Sequence, residues 1–403
     1  MKTIVGIDWS EKKHDVRIHN EQGGLLERFS IEAKMEGFAY LARRIKKSAR
    51  RAEDVLVAIE TSHNLLVDFL VEQGYQVYIL APSVVHANRG RHRASQAKGD
   101  DADAFLLADI LRTDINRLLP WKPNSEQVQQ MSCLLGRIED LTKMTTQEQN
   151  RLRDGLLRYY PQALVGIKTL KAKSSLAFLA QYPDPAQVKS LSYAEWLAFC
   201  QADTYWSKQS QIELYNALQE SAPAPPAGVI PAYAQQTVSL ARHLQLLLED
   251  KKQLIDQLNR LFEPHKDAFI FASLPGAGDL LAPSLLVLFG DWRDRYPDPA
   301  ILQAIAGTAP VTIASGKSRQ VRFRQACNHT YRNILQQFAI QSTKQSPWAL
   351  TYFQTALART GSNNQAYRSL ANRWVKIIWT LWQRGEAYDE DYHLQQVQRH
   401  RRW

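Results

Sequence analysis

Apolar and polar positions alternate along the first eighty residues in a way that predicts short strands and two helices. β-Branched apolar runs with a period of two favour strands, and the Gly23-Gly24 pair supplies a tight turn between two of them. A period near 3.6 favours helices. The predicted elements are the strands Thr3–Trp9, His14–His19 and Leu25–Ile31, the helix Glu36–Ala49, the strand Asp54–Ile59, the helix Leu65–Gln73 and the strand Tyr75–Leu80. The order β-β-β-α-β-α-β predicts an α/β domain in which helices pack on a mixed sheet.

Two long helical patterns occupy the middle of the chain. Residues 125–160 predict one long polar helix, and residues 240–261 follow alternating spacings of four and three. The second pattern is a heptad seam, which fits either a coiled coil or a core helix of a bundle. Its members are Leu240, Leu244, Leu247, Lys251, Leu254, Leu258 and Leu261. The Pro/Ala-rich segment Ser221–Pro231 predicts an extended linker, so this region is interpreted as a helical arm suited to dimerisation.

The rest of the chain is helical in pattern, with glycine and proline punctuation beyond about residue 270. Residues 83–98 are basic and weakly patterned, and they precede a predicted helix Asp100–Thr113 whose acidic first turn suits the helix dipole. The predicted fold is therefore α/β plus all-α. It comprises an α/β domain at residues 1–120, a helical coiled-coil arm at 121–265, a mostly helical C-terminal domain at 266–385 and a charged tail at 386–403.

The net charge of +10 at pH 7 is concentrated in one segment. Residues 299–385 contain eleven lysines and arginines and no aspartate or glutamate. Ordinary surfaces intersperse the two signs, so this stretch favours a nucleic-acid partner. The candidate nucleic-acid contacts are Arg89, Arg91, Arg93, Lys317, Arg319, Arg322 and Arg324. Aromatic side chains interleave the basic segment, and they fit either base stacking or a helical core.

Cysteine usage and hydropathy bear on location. Cys133, Cys200 and Cys327 are odd in number and far apart, which argues against a disulfide framework and fits the reducing cytoplasm of a bacterium, at the nucleoid. The N-terminus lacks the pattern of a signal peptide. No apolar run reaches the ~18 residues that a membrane span needs.

Four acidic residues are predicted to meet at one edge of the sheet. Asp8 ends the first strand and Glu60 ends a later one, so neighbouring strands bring both carboxylates to the same edge. Asp100 and Asp103 lie three residues apart and share a helix face. Gathering four like charges is unfavourable unless cations bridge them, and hard divalent metals take oxygen ligands. Two such ions ~3.5–4 Å apart clamp the attacking and leaving oxygens of a phosphoryl transfer.

These acids and their surroundings resemble the DEDD tetrad of insertion-sequence transposases with a RuvC-like, ribonuclease-H-like domain, a family related to the recombinases that invert pilin genes. The matching strings are GIDWSEKKHDV around Asp8, AIETSHN around Glu60 and KGDDADA around Asp100 and Asp103. The family usually has threonine where Gly99 stands, and the extra Asp101 is a second candidate for the ligand position of Asp100. The resemblance implies that the four acids are catalytic and bind two Mg²⁺ ions, for which Mn²⁺ can substitute.

The C-terminal part resembles the same family through a Pro-Gly-x-Gly turn at Pro275–Gly278, a Gly-x-x-Pro string at Gly307–Pro310 and Ser315-Gly316 with basic residues after it. The glycine turn fits either phosphate binding or a plain helix start. From the residues alone, Ser315 is a loop hydroxyl. The resemblance implies that it is a catalytic nucleophile on DNA, with Ser318 as its rival. A serine hydroxyl needs activation, and nearby guanidinium groups or a metal ion can stabilise the developing charge.

The resemblance also implies partners. These are donor and target DNA, a structured guide RNA from the non-coding end of the element, and further copies of the chain in a dimer or tetramer. One active centre then combines domains from different protomers.

Three other functions fit parts of the pattern. A metal-dependent junction-resolving nuclease would use water as the nucleophile and leave Ser315 a structural role. An actin-like sugar kinase or ATPase also has a first phosphate loop after a GIDxS-type strand. A non-enzymatic DNA- or RNA-binding protein accounts for the charge but leaves the four acids unexplained.

Overall fold

The computed structural model describes residues 2–62, 64–91, 100–202, 206–220, 225–316 and 318–401. The chain divides into two compact units, residues 1–123 and 124–403. In the described part of the chain, no helix has both the length and the apolar character needed to cross a bilayer. The three cysteines are free thiols, as predicted.

The first unit is a five-stranded mixed sheet with helices on both faces. Its strands are β1 (Thr3–Asp8), β2 (Lys13–Asn20), β3 (Leu25–Glu32), β4 (Val55–Ile59) and β5 (Gln76–Ile79), and its helices are α1 (Met35–Ser48), α2 (Leu65–Glu72), α3 (Pro82–Asn88) and α4 (Asp100–Asp114). The strand order is β3-β2-β1-β4-β5. The first three strands form an antiparallel meander, while β4 and β5 extend the sheet in parallel with β1. This ribonuclease-H-like sheet confirms the predicted fold class and the order of the predicted strands.

The two faces of this sheet have separate cores because side chains alternate along each strand. Val5 and Ile7 of β1 point into the core that contains Phe38 and Leu41 of α1. Ile4 points the other way, into the core that contains Leu107 of α4. Helix α3 begins with Pro82, buries Val85 and continues into residues 83–98, for which the sequence pattern predicted no element.

The second unit is almost entirely helical. Its elements are α5 (Glu126–Tyr159), α6 (Pro161–Gly166), α7 (Lys173–Gln181), α8 (Pro185–Lys189), α9 (Tyr193–Ala202), α10 (Lys208–Gln219), α11 (Ile230–Phe262), α12 (Ala268–Ala272), α13 (Gly278–Phe289), α14 (Pro299–Ile305), β6 (Val311–Ser315), β7 (Ser318–Arg322), α15 (His329–Ser342), α16 (Pro347–Thr360), α17 (Asn363–Arg384) and α18 (Glu390–Arg401). The hairpin β6–β7 was not predicted. Helix α18 lies in the segment that the sequence pattern separates as a tail, and the carboxylate of Glu390 at its start accepts hydrogen bonds from Ser346 Oγ and Trp348 N.

Helices α5 and α11 pack against each other in antiparallel fashion. The start of α5 meets the end of α11, where Gln127 Nε2 donates to the Leu261 carbonyl, and the end of α5 meets the start of α11, where Tyr159 Oη donates to Thr237 Oγ1 at 2.9 Å. The heptad seam of α11 faces this partner within the same chain, and its members Leu244 and Leu258 are fully buried. One end of the pair joins the core of α12–α17, and the other joins the core of α6–α10. The tryptophans Trp374 and Trp382 lie fully buried in the first of these cores.

Candidate active site and nucleic-acid interface

The sheet brings the ends of β1 and β4 side by side. The two strands are parallel neighbours, with Ile7 opposite Ile59 in the register, so Asp8 and Glu60 occupy the next position along each strand. Paired strands lie ~4.8 Å apart. The predicted neighbourhood of these two strands is therefore confirmed.

Both carboxylates belong to the face of the sheet that α4 covers. Side chains alternate along a strand, and Ile4 in β1 and Ala58 in β4 both lie in the core on the α4 side. Asp8 is four residues from Ile4, and Glu60 is two residues from Ala58. Because both separations are even, each acid lies on the same face of the sheet as its reference residue. Asp103 lies on α4 itself. Topology and pleat thus direct three of the four predicted acids toward one space.

Gly6 is the residue that lets α4 come close enough to β1. A Cβ atom at this position would lie only 2.0 Å from the Ala104 carbonyl oxygen and 2.8 Å from the Ala108 amide nitrogen. The helix therefore packs its backbone directly on the strand, one residue beyond Asp103. Sequence reasoning missed this role, although a glycine inside a strand pattern is a known signal of close backbone approach.

Asp103 and Glu60 share an electrostatic environment with Arg89. Arg89 Nη2 donates to Asp103 Oδ2 at 2.9 Å, and both side chains are mostly buried. Burial raises the pKa of Glu60, the negative charge of Asp103 raises it further, and the positive charge of Arg89 offsets part of the rise. Among the described residues, Arg89 is the cation whose charge acts on both Glu60 and Asp103.

The donor set at this edge fits a hard divalent cation, because every candidate ligand is a carboxylate oxygen. In this arrangement Arg89 supplies the counter-charge to Asp103. Among the described residues, no three His, Cys, Asp or Glu side chains lie as close together as a metal site requires. The side chains of Asp100 and Asp101 lie outside the described set, although Asp100 begins α4 as predicted. The four-acid metal site stays a prediction.

A further carboxylate near this edge escaped the sequence analysis. Asp15 of β2 is directly opposite Asp8 in the antiparallel pair, so the two side chains lie on the same face of the sheet. Asp15 accepts a short hydrogen bond from Ser30 Oγ and forms an ion pair with Lys13 at 3.4 Å. Its signal in the sequence was the alternation of β2, which places every second residue on the α4 side.

Ser315 lies at the tip of the β6–β7 hairpin in the second unit. The strands pair antiparallel with Ser315 directly opposite Ser318, and Gly316, which follows Ser315, has φ +54°. Beyond Val311, all described residues of the hairpin are exposed, including Ile313 at 48% and Val321 at 63%. A bare two-stranded hairpin is marginally stable in water, so this one is suited to a partner that covers it.

The hairpin register sorts the neighbouring side chains by face. Ser315 shares its face with Ser318, Gln320 and Arg322, whereas Arg319 pairs with Ala314 and lies on the other face. The nucleophile candidate and its rival are thus cross-strand neighbours. The predicted nucleic-acid contacts Arg319 and Arg322 are exposed, and Arg324 Nε donates to the Ala309 carbonyl at 3.3 Å.

The remaining predicted basic contacts are distributed as follows. Arg89 forms the ion pair with Asp103 already described. Arg91 ends a single 3₁₀ turn, and its side chain is not among those described. Arg93 and Lys317 lie outside the described residues.

The Pro-Gly-x-Gly turn at Pro275–Gly278 leads into α13. This agrees with the interpretation of the turn as a plain helix start. The Gly276 amide donates to Gln345 Oε1 at 2.8 Å, so this N–H is already used within the unit. Gly276 has φ +77°, and a Cβ there would lie 2.7 Å from the Gln341 carbonyl oxygen. The turn therefore packs closely on the end of α15.

Two family profiles match the chain. A transposase profile, DEDD_Tnp_IS110, matches residues 5–161, and a profile described as "Transposase IS116/IS110/IS902 family" matches residues 268–354. The first range contains the sheet edge with Asp8, Glu60 and Asp103, and the second contains the hairpin with Ser315. Residues 162–267, which include nearly all of α6 and the whole of helices α7–α11, lie between the two matches.

Several curated proteins are similar to the chain over much of their length. A "Mini-circle putative transposase for IS117" from Streptomyces coelicolor is 31% identical over 398 residues, which cover 97% of this chain and 96% of that protein. An "Insertion element IS110 uncharacterized 43.6 kDa protein" from the same organism is 27% identical over 73% of each chain. An "Insertion element IS900 uncharacterized 42 kDa protein" from Mycobacterium paratuberculosis is 24% identical over 80% of this chain and 81% of that protein.

Proposed function

The chain belongs to the IS116/IS110/IS902 family of transposases, and we propose that it cuts and rejoins DNA strands with a metal-binding set of four acids and a serine nucleophile. The acids are Asp8, Glu60, Asp100 and Asp103, and the nucleophile is Ser315. Membership in this family decides against the sugar kinase and the non-enzymatic binding protein. A DEDD transposase implies a divalent metal ion, and we propose Mg²⁺ as that ion.

The observation that carries the first half of the proposal is the sheet edge. Strand register brings Asp8 and Glu60 together, and the close approach of α4 at Gly6 directs Asp103 toward the same space. The raised pKa of Glu60, caused by burial and by the charge of Asp103, supports a role for a cation there. Bound divalent ions would stabilise charge on the attacking and leaving oxygens of a phosphodiester.

The second half of the proposal is supported by the exposure of Ser315 at the tip of a basic hairpin. The serine oxygen forms a bond to the phosphorus, the bond from phosphorus to one deoxyribose oxygen breaks, and the serine proton ends on the departing hydroxyl. The phosphodiester energy is kept in the enzyme–DNA bond, so a DNA hydroxyl can reverse the step and rejoin strands without a nucleotide cofactor. Arg322, on the same face as Ser315, is positioned to neutralise phosphate charge along the strand.

We further propose that DNA covers the hairpin. A structured guide RNA selects the donor and target DNA. A two-stranded ribbon fits the major groove, and the acid-free segment 299–385 provides the positive field. The acids and Ser315 belong to separate units, so we propose that an active centre combines units of different protomers in a dimer or tetramer. Copurification of a defined RNA with the full chain tests the guide, and its absence would contradict that part.

The deciding experiment replaces the serine. Ser315→Ala should abolish the covalent protein–DNA adduct formed on supercoiled donor and target, as seen on denaturing gels. Ser318→Ala is the matched control, because it removes a hydroxyl directly opposite on the same face, and it should retain the adduct. An adduct at wild-type level with Ser315→Ala would refute the nucleophile. If the Ser315→Ala variant still nicks DNA in a metal-dependent way, and the wild type forms no covalent adduct, the result would favour the junction-resolving nuclease.

A further inference from the structure

Two arginines of the second unit lie over one aromatic ring at the base of the β6–β7 hairpin. Cζ of Arg332 in α15 is 4.3 Å from the ring centroid of Phe323, and Cζ of Arg368 in α17 is 3.9 Å from it. Phe323 directly follows β7. Arg332 is only 8% exposed, while Arg368 and Phe323 are half-buried.

Within the part of the chain that the structure describes, this pair has no carboxylate as counter-charge. No carboxylate in the described residues forms an ion pair with Arg332 or Arg368, and the surrounding segment 299–385 has no acidic residue. The Nε atoms of both side chains are buried without a hydrogen-bond acceptor. Burial lowers the pKa of Arg368, and the charge of Arg332 lowers it further. Cation–π contact with Phe323 offsets only part of this cost.

The surrounding backbone holds the guanidinium group of Arg332 in place relative to the hairpin, and a side-chain hydrogen bond ties the helix of Arg368 to the loop before β6. Arg332 Nη2 donates to the Arg324 carbonyl at 2.6 Å. Gly307 leaves room for this group, since a Cβ there would lie 2.6 Å from Nη2. Thr308 Oγ1 donates to Asn372 Oδ1 at 3.0 Å, which ties the loop before β6 to α17, one turn from Arg368. The arginines and the serine hairpin are therefore parts of one packed assembly within the unit.

We propose that Arg368, backed by Arg332, binds a backbone phosphate of the DNA strand that Ser315 attacks; this inference rests on the proposed function. The planar guanidinium fork matches phosphate oxygens in geometry and charge. A strand rises about 3.4 Å per residue, so the five residues of β7 place the pair roughly 14–17 Å from the hairpin tip. Successive phosphates of one DNA strand are spaced about 3.4 Å along the axis, so the bound phosphate lies a few nucleotides from the scissile one. Arg368 is a positioning residue that fixes the register of the strand.

The first test measures anion binding by the full chain without DNA. Inorganic phosphate, compared with chloride at matched ionic strength, should raise the Tm of the wild type and of Arg373→Gln, an exposed arginine on the same helix. The rise should be smaller for Arg368→Gln. An equal rise in all three proteins would overturn the site. Arg368→Gln is preferred to Arg332→Gln because Arg332 also packs against Gly307 and bonds to the hairpin backbone.

The second test measures affinity for a short DNA duplex as a function of salt. Arg368→Gln should reduce the slope of log K against log salt by about one, the value expected for one lost phosphate contact, and Arg373→Gln should not. Equal loss in both variants would show a diffuse field instead of a site and overturn the inference. The same loss seen only with an RNA duplex would overturn the assignment to DNA.

The outcomes separate this inference from the proposed function. An adduct that depends on Ser315, together with an unchanged salt slope for Arg368→Gln, would refute the phosphate site and leave the nucleophile standing. A reduced slope with no Ser315-dependent adduct would refute the nucleophile and leave a phosphate site on the second unit.

Discussion

Glu60 is a residue whose charged form the folded first unit disfavours. Its pKa is raised first by burial and then by the neighbouring carboxylate of Asp103, and Arg89 compensates only in part. Such a group destabilises the fold at neutral pH unless a cation is present. Functional sites retain groups of this kind because their charge is needed for chemistry.

Replacing Glu60 by glutamine should therefore stabilise the metal-free protein. Since the folded pKa is raised, the penalty exists above the folded pKa and vanishes below the unfolded value of 4.5, so the gain in Tm should be present at pH 7 and fade toward pH 4. Mg²⁺ at a hundred times its Kd should stabilise the wild type by about 2.7 kcal/mol, and this increment should be lost in Glu60→Gln. Glu72→Gln, at an exposed position of α2, is the control for both effects. A variant less stable than the wild type without metal, or one that keeps the full Mg²⁺ increment, would contradict the assignment.

At the scale of elements, the contact between β1 and α4 determines the geometry of the acids. The helix carries Asp103 one residue before Ala104, whose carbonyl lies where a Cβ of residue 6 would be. A side chain at position 6 must push the helix outward and carry Asp103 away from the sheet edge.

Gly6→Ala should thus cost both stability and activity. Overpacking of this kind costs typically 1–3 kcal/mol, and misplaced ligands should lower metal-dependent DNA cleavage well beyond the loss of folded protein. Calorimetry of the first unit and nicking of supercoiled plasmid measure the two effects. Gly136→Ala, in a helix with open space around the glycine, is the matched control and should leave cleavage intact. Unchanged cleavage by a folded Gly6→Ala would show that α4 can shift without moving the acids.

The elements that the sequence predicted are those in which burial leaves a local pattern. Strands β1, β4 and β5 were predicted from short apolar runs, because helices cover both faces of the sheet there, and β2 was predicted from its alternation. The long helices α5 and α11 were predicted from their helical pattern. The β6–β7 hairpin was missed because both its faces are exposed, so no buried apolar face marks it in the sequence; the remaining signal was Gly316, which has a positive φ. The close approach at Gly6 and the Arg332–Phe323–Arg368 cluster depend on contacts between distant segments, and no local pattern encodes them.

At the scale of the whole molecule, the stability of both units depends on pH through two buried histidines, His14 and His265, and the half-buried His393. Burial lowers the pKa of His14 in the first unit and of His265 and His393 in the second. Nδ1 of His14 accepts a hydrogen bond from the Ser10 amide, and Nδ1 of His265 accepts one from the Asp267 amide. Protonation at either atom would remove an acceptor, so the fold requires the neutral rings.

The second unit should lose stability as the pH falls from about 7.5 to 5.5, whereas in the first unit the raised pKa of Glu60 opposes the effect of His14. A histidine with a lowered folded pKa binds protons more readily in the unfolded chain, so its contribution is complete above the unfolded value of 6.5 and is lost as the pH falls toward the folded value. Calorimetry can follow the two units as separate transitions, since a two-domain chain need not unfold in one step. His265→Gln supplies a neutral acceptor for the Asp267 amide and should flatten the pH dependence of the second unit alone. His329→Gln, at an exposed position, should leave it unchanged. A Tm of the second unit that rises on acidification, or an unaltered slope in His265→Gln, would mean that other groups govern this range.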